Sequence, residues 1–199
     1  ATGHCTPYRG KLQGNGHVLK GLTIDQSGNT LYPHAGLFCG LDGATIEDVV
    51  FDKSCKMTGS DSSALAVSVT GSVTLLNVKS QSTVSGTGSV GGVFAHIESP
   101  AGSSVVFDNC VAEGSVSNTG KNTGGFVGHL NGNVTVSFKS CESGCTIEST
   151  DGMVGGFIGY TEKNKHMKVD VRDSMFRGII NARSSAKTDL YASGLIGYV

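Results

Sequence analysis

The 199 residues include 30 glycines, 24 serines and 17 threonines, with no tryptophan and only 3 prolines. Charged residues make up 16%, below a typical ~25%, and the formal net charge is −1. There is no basic excess to neutralise phosphates, which argues against nucleic acid as a partner. No run of about 18 apolar residues is present to insert into a membrane, and 38% apolar content is too high for a disordered linker.

The chain starts at Ala1-Thr2-Gly3 without a signal-peptide pattern, as a processed or excerpted segment would. Gly14-Asn15-Gly16 reads as a turn, and His17 to Leu22 as a first, short strand segment. Beyond it a motif of two glycines, two apolar residues and a small residue recurs. Its clear copies are Gly91-Gly92-Val93-Phe94-Ala95, Gly124-Gly125-Phe126-Val127-Gly128 and Gly155-Gly156-Phe157-Ile158-Gly159. Degenerate copies begin at Ala35, Ser63 and Ser193. The second residues fall at 36, 64, 92, 125, 156 and 194, a period of 28 to 38 residues. Periods of this length mark repeat architectures.

An alternating strand ending in a polar turn follows each of the first five copies. Aligning these strands produces columns of like chemistry. One reads Leu19, Ile46, Leu75, Phe107, Phe138, Val171; three positions on comes Leu22, Val49, Val78, Cys110, Cys141, Ser174. Six further on lie Cys55, Val84, Val116, Ile147 and Ile180, and a turn column holds Asp48, Asn77, Asn109, Ser140 and Asp173. The apolar period is 2, the mark of strands. A repeat of about 30 residues with three strand-like pieces cannot bury its apolar face alone, whereas stacked coils can. The expectation is an all-β fold: one parallel β-solenoid (β-helix) over residues 1–199, with about six turns starting near 8, 36, 64, 92, 125 and 156 and a partial turn from 194.

Tyr8-Arg9-Gly10-Lys11-Leu12-Gln13-Gly14-Asn15-Gly16-His17 resembles the opening of many large surface proteins. The Gly-Gly-Phe-Val-Gly copies resemble GLUG-type repeats of bacterial adhesins and similar protist surface proteins. Gln13 stands where that pattern has an acidic residue, and the glycine pair is lost at Ala64. The resemblance implies a right-handed β-helix, export, a stalk or adhesive role and no catalytic residues.

Several sites are legible as candidates. Within the glycine strand two adjacent columns are apolar, so strict alternation turns one outward. The outward column is expected to be Phe38, Phe94, Val127, Ile158 and Ile196, sharing its face with His96, His129, Tyr160 and Tyr198 as a lateral interface. A bulge that turns both columns inward is the alternative. Cys110 and Cys141, on adjacent turns ~4.8 Å apart, are a disulfide candidate, with two buried thiols as the alternative. Cys5 and Cys39 could pair near the first turn, but nothing in the spacing requires it. Asn133-Val134-Thr135 is a glycosylation acceptor triplet.

His96 and His129 have no carboxylate in their column and read as an aromatic ladder rather than a metal site. No cofactor is expected. Asp170, Arg172, Asp173 and Arg177 form the densest charged patch, read as a solvated face rather than an acid/base pair. The chain opens on a half repeat and closes on an unpaired glycine strand. The two halves are complementary, so an excerpt of a longer solenoid and a head-to-tail filament both remain open. The function expected is an extracellular or cell-surface structural protein without enzymatic activity, a filament subunit or adhesin stalk. Its partners would be copies of itself, met at the solenoid ends and through the apolar face, and surface glycans. A carbohydrate-binding or polysaccharide-cleaving β-helix is the alternative.

Overall fold

Parallel strands stack in register through every turn of the chain, and this stacking explains the sequence columns. The computed structural model describes residues 5–163, 165–184 and 189–199, and no helix occurs among them. The fold is a parallel β-solenoid. Each turn after the first holds five short strands, not three, and the first holds four. In the third turn these are Val73–Leu76, Lys79–Ser80, Thr83–Gly86, Ser89–Gly91 and Phe94–Ser99. Each strand bonds to its counterparts in the turns before and after, giving five parallel sheets, four of six strands and one of five. We number the sheets 1 to 5 in this order.

Sheet 1 places Ile46, Leu75, Phe107, Phe138 and Val171 directly above one another. All but Val171 are essentially buried, while Thr74, Val106 and Ser137 of the alternate positions are partly exposed. The phenylalanines interlock across levels and corners. Phe107 stacks on Phe138 with ring centroids 4.6 Å apart, Phe126 stacks on Phe157 at 5.2 Å, and Phe138 meets Phe157 edge-on at 5.1 Å. Each such pair adds about 0.5–1.5 kcal/mol to area burial.

The corner between sheets 1 and 2 is left-handed at every level. Asn15, Asp48, Asn77, Asn109, Ser140 and Asp173 have φ between 49° and 54°. Asn and Asp reach this region more readily than other residues with a Cβ. Their side chains also form a ladder: Asn77 Nδ2 donates to Asp48 Oδ1 at 2.8 Å, and Asn109 Nδ2 donates to Asn77 Oδ1 at 2.7 Å. Ser140 is too short to extend it.

Two columns shift at the first levels. Leu12, not Leu19, pairs with Ile46, and Leu19 pairs with Phe51 of sheet 2. The left-handed corner of the first level is therefore Asn15. Met57, not Cys55, pairs with Val84. A two-residue insertion between Phe51 and Cys55 causes this slip. Asp52 Oδ1 closes it by accepting from both the Ser54 amide (3.0 Å) and the Ser54 hydroxyl (2.6 Å).

The expected outward apolar stripe is absent from the surface. Phe94, Val127 and Ile158 are fully buried, and Phe38 and Ile196 are half-buried against the core. The reason is a local bulge. The amides of Val93 and Phe94 both donate to the Phe126 carbonyl, at 3.0 and 2.9 Å, and those of Phe126 and Val127 both donate to Phe157. Two residues thus share one ladder position, alternation breaks, and both columns turn inward.

The glycine pair makes this corner possible. A Cβ on Gly124 would overlap the Val127 carbonyl oxygen, and one on Gly125 would overlap Gly156 of the next level. In the degenerate copy Ser63 donates its hydroxyl to the Ala66 carbonyl at 2.6 Å. Gly128 in turn lies against the Val90 backbone of sheet 4. Sheets 4 and 5 therefore meet at backbone distance.

Cys110 and Cys141 are free, buried thiols rather than a disulfide. In-register stacking holds successive levels about 4.8 Å apart, wider than the ~3.5–4.5 Å that disulfide Cβ atoms need. Cys141 instead donates to the Phe107 carbonyl at 3.4 Å, and Cys110 to that of Asp108 at 3.4 Å. The disulfide joins Cys5 to Cys39, with Cα atoms 5.9 Å apart and a sequence separation of 34. Closing such a loop stabilises by about 3–4 kcal/mol in the chain-entropy account.

Ser140→Asn should stabilise the fold by about 0.5–1 kcal/mol, because asparagine suits the left-handed corner and its Nδ2 can donate to Asn109. Denaturant melts of the two proteins check this. A destabilised variant would contradict the ladder.

Candidate functional site

The aromatic side chains that sheet 5 leaves partly exposed form a continuous file. Strand register places His96 beside His129, His129 beside Tyr160, and Tyr160 beside Tyr198. Successive ring centroids are 5.4, 5.1 and 5.8 Å apart, and Tyr191 joins Tyr198 edge-on at 5.2 Å. Lys163 Nζ lies 4.9 Å from the centre of the Tyr198 ring. The aromatic ladder expected from the sequence is present, but its former neighbours Phe94, Val127 and Ile158 are in the core.

Opposite this file runs the row of corners that leads from sheet 3 into sheet 4. Between the two lies a groove of about 700 Å³, bordered by Asp61, Lys121, Asp151 and Asp189 on the corner side and by His96, His129, Tyr160 and Glu162 on the other. A smaller hollow of about 430 Å³ lies over sheet 3, among Ser117, Asn118, Glu148 and Arg183.

Asp61 organises the near end of the groove. Its carboxylate meets His34 Nδ1 at 3.2 Å and His96 Nε2 at 3.2 Å, and accepts the Ser89 amide at 2.8 Å. Burial alone would push this carboxyl up. The His96 hydrogen bond and charge, the Ser89 amide and the His34 charge outweigh burial and hold it below the usual carboxylate range. One level along, His129 Nε2 lies 3.2 Å from Glu162 Oε2. Burial and then the neighbouring His96 push His129 below the usual imidazole value, and Glu162 only partly offsets them.

The remaining candidates separate from the groove. Asp170 is held by Arg172 at 2.8 Å, Asp173 occupies a left-handed corner, and Arg177 bridges Glu113 and Glu142. Asn133 is exposed, and its side-chain oxygen accepts the His166 amide at 2.9 Å. Cys145 is buried away from solvent, which pushes its thiol up to about 12. Among the described residues no three His, Cys, Asp or Glu side chains are placed to hold a metal together. The corner residues of the groove escaped the sequence columns because their loops differ in length. The available signal was a charged residue, Asp61, Lys121 or Asp151, two to four positions before the glycine motif.

Fold and site define a repeat protein of the β-solenoid class. No known protein family matches the chain. Over 98 residues, 49% of its length, it is 36% identical to Halomucin of Haloquadratum walsbyi, of which it spans only 1%. Among solved structures it resembles a Bacteroides ovatus protein provisionally assigned as an immunoglobulin A1 protease, with a TM-score of 0.58 and 16% identity over 92% of this chain and 68% of that one. At that identity the likeness concerns the fold alone.

His129 should titrate below the ordinary ~6.5. Its neutral form is favoured in the folded state, so its contribution to stability is complete above that value and is lost as pH falls through the window beneath it. Following the His129 ring by NMR should give a depressed midpoint, and Glu162→Gln should depress it further by removing the opposing charge. A midpoint at or above the ordinary value would contradict the described burial.

Proposed function

We propose that the chain is a structural segment of an extracellular surface protein, a rod that serves as an adhesin stalk or filament unit and performs no catalysis. The observation that carries this reading is the interturn register, with the core columns and the left-handed corner after sheet 1 continued from level to level. Such a stack resists bending and pulling through many parallel backbone hydrogen bonds. The Cys5–Cys39 disulfide supports an oxidising compartment. The similarity to Halomucin, a mucin by name, supports the cell surface.

Self-association rests on the stack's two end levels, since the apolar columns of the glycine strand are buried. Val18 and Leu19 are exposed at one end, and Met175, Ile179 and Leu195 at the other. At the first level Tyr8 bridges Leu41 and covers the edge of sheet 5, while the outermost strands of sheets 1 to 3 each have one free edge among the described residues, which would pair with a further coil, of a second copy or of a longer chain. Polysaccharide cleavage at Asp170 and Asp173 finds little support, because the first is ion-paired and the second shapes a corner.

Negative-stain microscopy over a range of protein concentrations tests self-stacking. Six stacked levels predict rods that lengthen with concentration in steps of about 30 Å. Single particles of constant length at every concentration would remove self-stacking.

A further inference from the structure

The groove between the aromatic file and the sheet 4 corners has no part in the rod's stability argument, yet its lining is specific. It runs beside five successive corners, a length of about 20 Å at the spacing of parallel strands. A ligand that fills it is therefore an extended chain lying along the solenoid axis.

The chemistry of the lining narrows the class. Four carboxylates border the groove, Asp61, Asp151, Glu162 and Asp189, against the one lysine, Lys121. Asp61 and Glu162 are engaged by histidines. Asp151 and Asp189 form no ion pair among the described residues, and the Asp151 side chain accepts only the adjacent Gly152 amide, at 2.7 Å. An anionic chain, such as a nucleic acid or a uronic or sulfated glycan, would be repelled. Ammonium groups would be attracted, the more so because the groove is partly withdrawn from bulk water.

The opposite wall asks for hydroxyls. His96 meets His129 edge to face and His129 leans on Tyr160 at 31°. With His96 Nε2 held by Asp61, His96 Nδ1 buried and His129 Nε2 held by Glu162, the wall offers a ligand the Tyr160 hydroxyl and the Glu162 carboxylate. Asn122, on the corner side, is buried and spends its Nδ2 on the Ser89 hydroxyl at 3.2 Å. Apart from the rings, Met153 is the one large apolar side chain in the lining, so a peptide would lack the apolar anchors on which peptide recognition depends. The neighbouring strands of sheets 4 and 5 are already paired within their sheets, which leaves no free edge in the groove for strand addition.

We propose that this groove binds an extended oligosaccharide carrying free amino groups, with its ammonium groups at Asp151 and Asp189 and its hydroxyls at the Tyr160 hydroxyl and the Glu162 carboxylate. The proposal goes beyond the rod reading and stands independently of it, since a rod that never assembles could still bind at its side.

The test is an NMR titration of the isotope-labelled chain with a linear tetramer of glucosamine. Its fully N-acetylated counterpart and tetralysine are run beside it. The glucosamine tetramer should give saturable shifts at His96, His129 and Tyr160 with Kd of about 1 mM or tighter. The acetylated tetramer and tetralysine should each bind at least about tenfold more weakly. A double variant, Asp151→Asn with Asp189→Asn, should lose about tenfold in affinity, while its thermal melt matches the parent and shows that folding is intact. The proposal is overturned by any of four results: no saturable shift up to about 10 mM ligand, shifts that map elsewhere, an acetylated tetramer that binds equally well, or tetralysine that binds as tightly as the sugar. Full affinity retained in the double variant would overturn it as well.

Discussion

In-register hydrogen bonding between successive turns is the constraint from which the other features follow. Parallel strands about 4.8 Å apart place each residue above its counterpart, so each level must solve the same local problem as its neighbours. The core solves it with stacked phenylalanines such as Phe107 on Phe138. The corner after sheet 1 solves it with a left-handed residue at each of its six levels. A change at one level is felt by two others, which is why chemistry varies so little down a column.

The glycine corner is the second device, and it shapes the surface as well as the core. Sheets 4 and 5 approach so closely that Gly124 and Gly128 leave no room for a Cβ, and Gly125 is closed in by Gly156 of the next level and Ser143 of sheet 2. The bulge at Val93–Phe94 and its equivalents then turns two consecutive apolar residues inward. Beyond the bulge the strand resumes its alternation, and His96, His129 and Tyr160 emerge together beside the sheet 4 corners. The groove is thus a by-product of the same packing that closes the core. Asp61 also ties the Ser89 amide of the next level, and Asp151 and Asp189, which form no ion pair among the described residues, give the groove a chemical character of its own.

Most of the architecture was legible because column agreement is a direct consequence of stacking. Ile46, Leu75, Phe107 and Phe138 could be aligned without a structure, as could the Asp48, Asn77 and Asn109 corner. Other features were hidden for identifiable reasons. The His17–Leu22 segment mimics a later strand, so Leu19 displaced Leu12 in the alignment. The Asp52–Ser54 insertion similarly displaced Met57 by Cys55. The apolar stripe followed from assuming a straight strand, and a carbonyl shared between two amides is invisible in a residue pattern. The Cys110–Cys141 pairing rested on Cα spacing, whereas a disulfide also requires the Cβ atoms to converge. The groove was missed because only the ring side repeats in register, while its corner side is built from loops of unequal length.

The most direct test concerns the close approach of sheets at the glycine corner. Gly125→Ala places a Cβ into the Gly156 carbonyl and the Ser143 hydroxyl, while Gly28→Ala points one into open space. Denaturant unfolding of both variants should show a loss of about 3 kcal/mol or more for Gly125→Ala, as expected for overpacking against backbone, and a change within about 0.5 kcal/mol for Gly28→Ala. If Gly125→Ala were as stable as Gly28→Ala, the glycine corner could not pack against the next level and sheet 2 as described, and the account of the corner and of the buried columns it closes would be wrong.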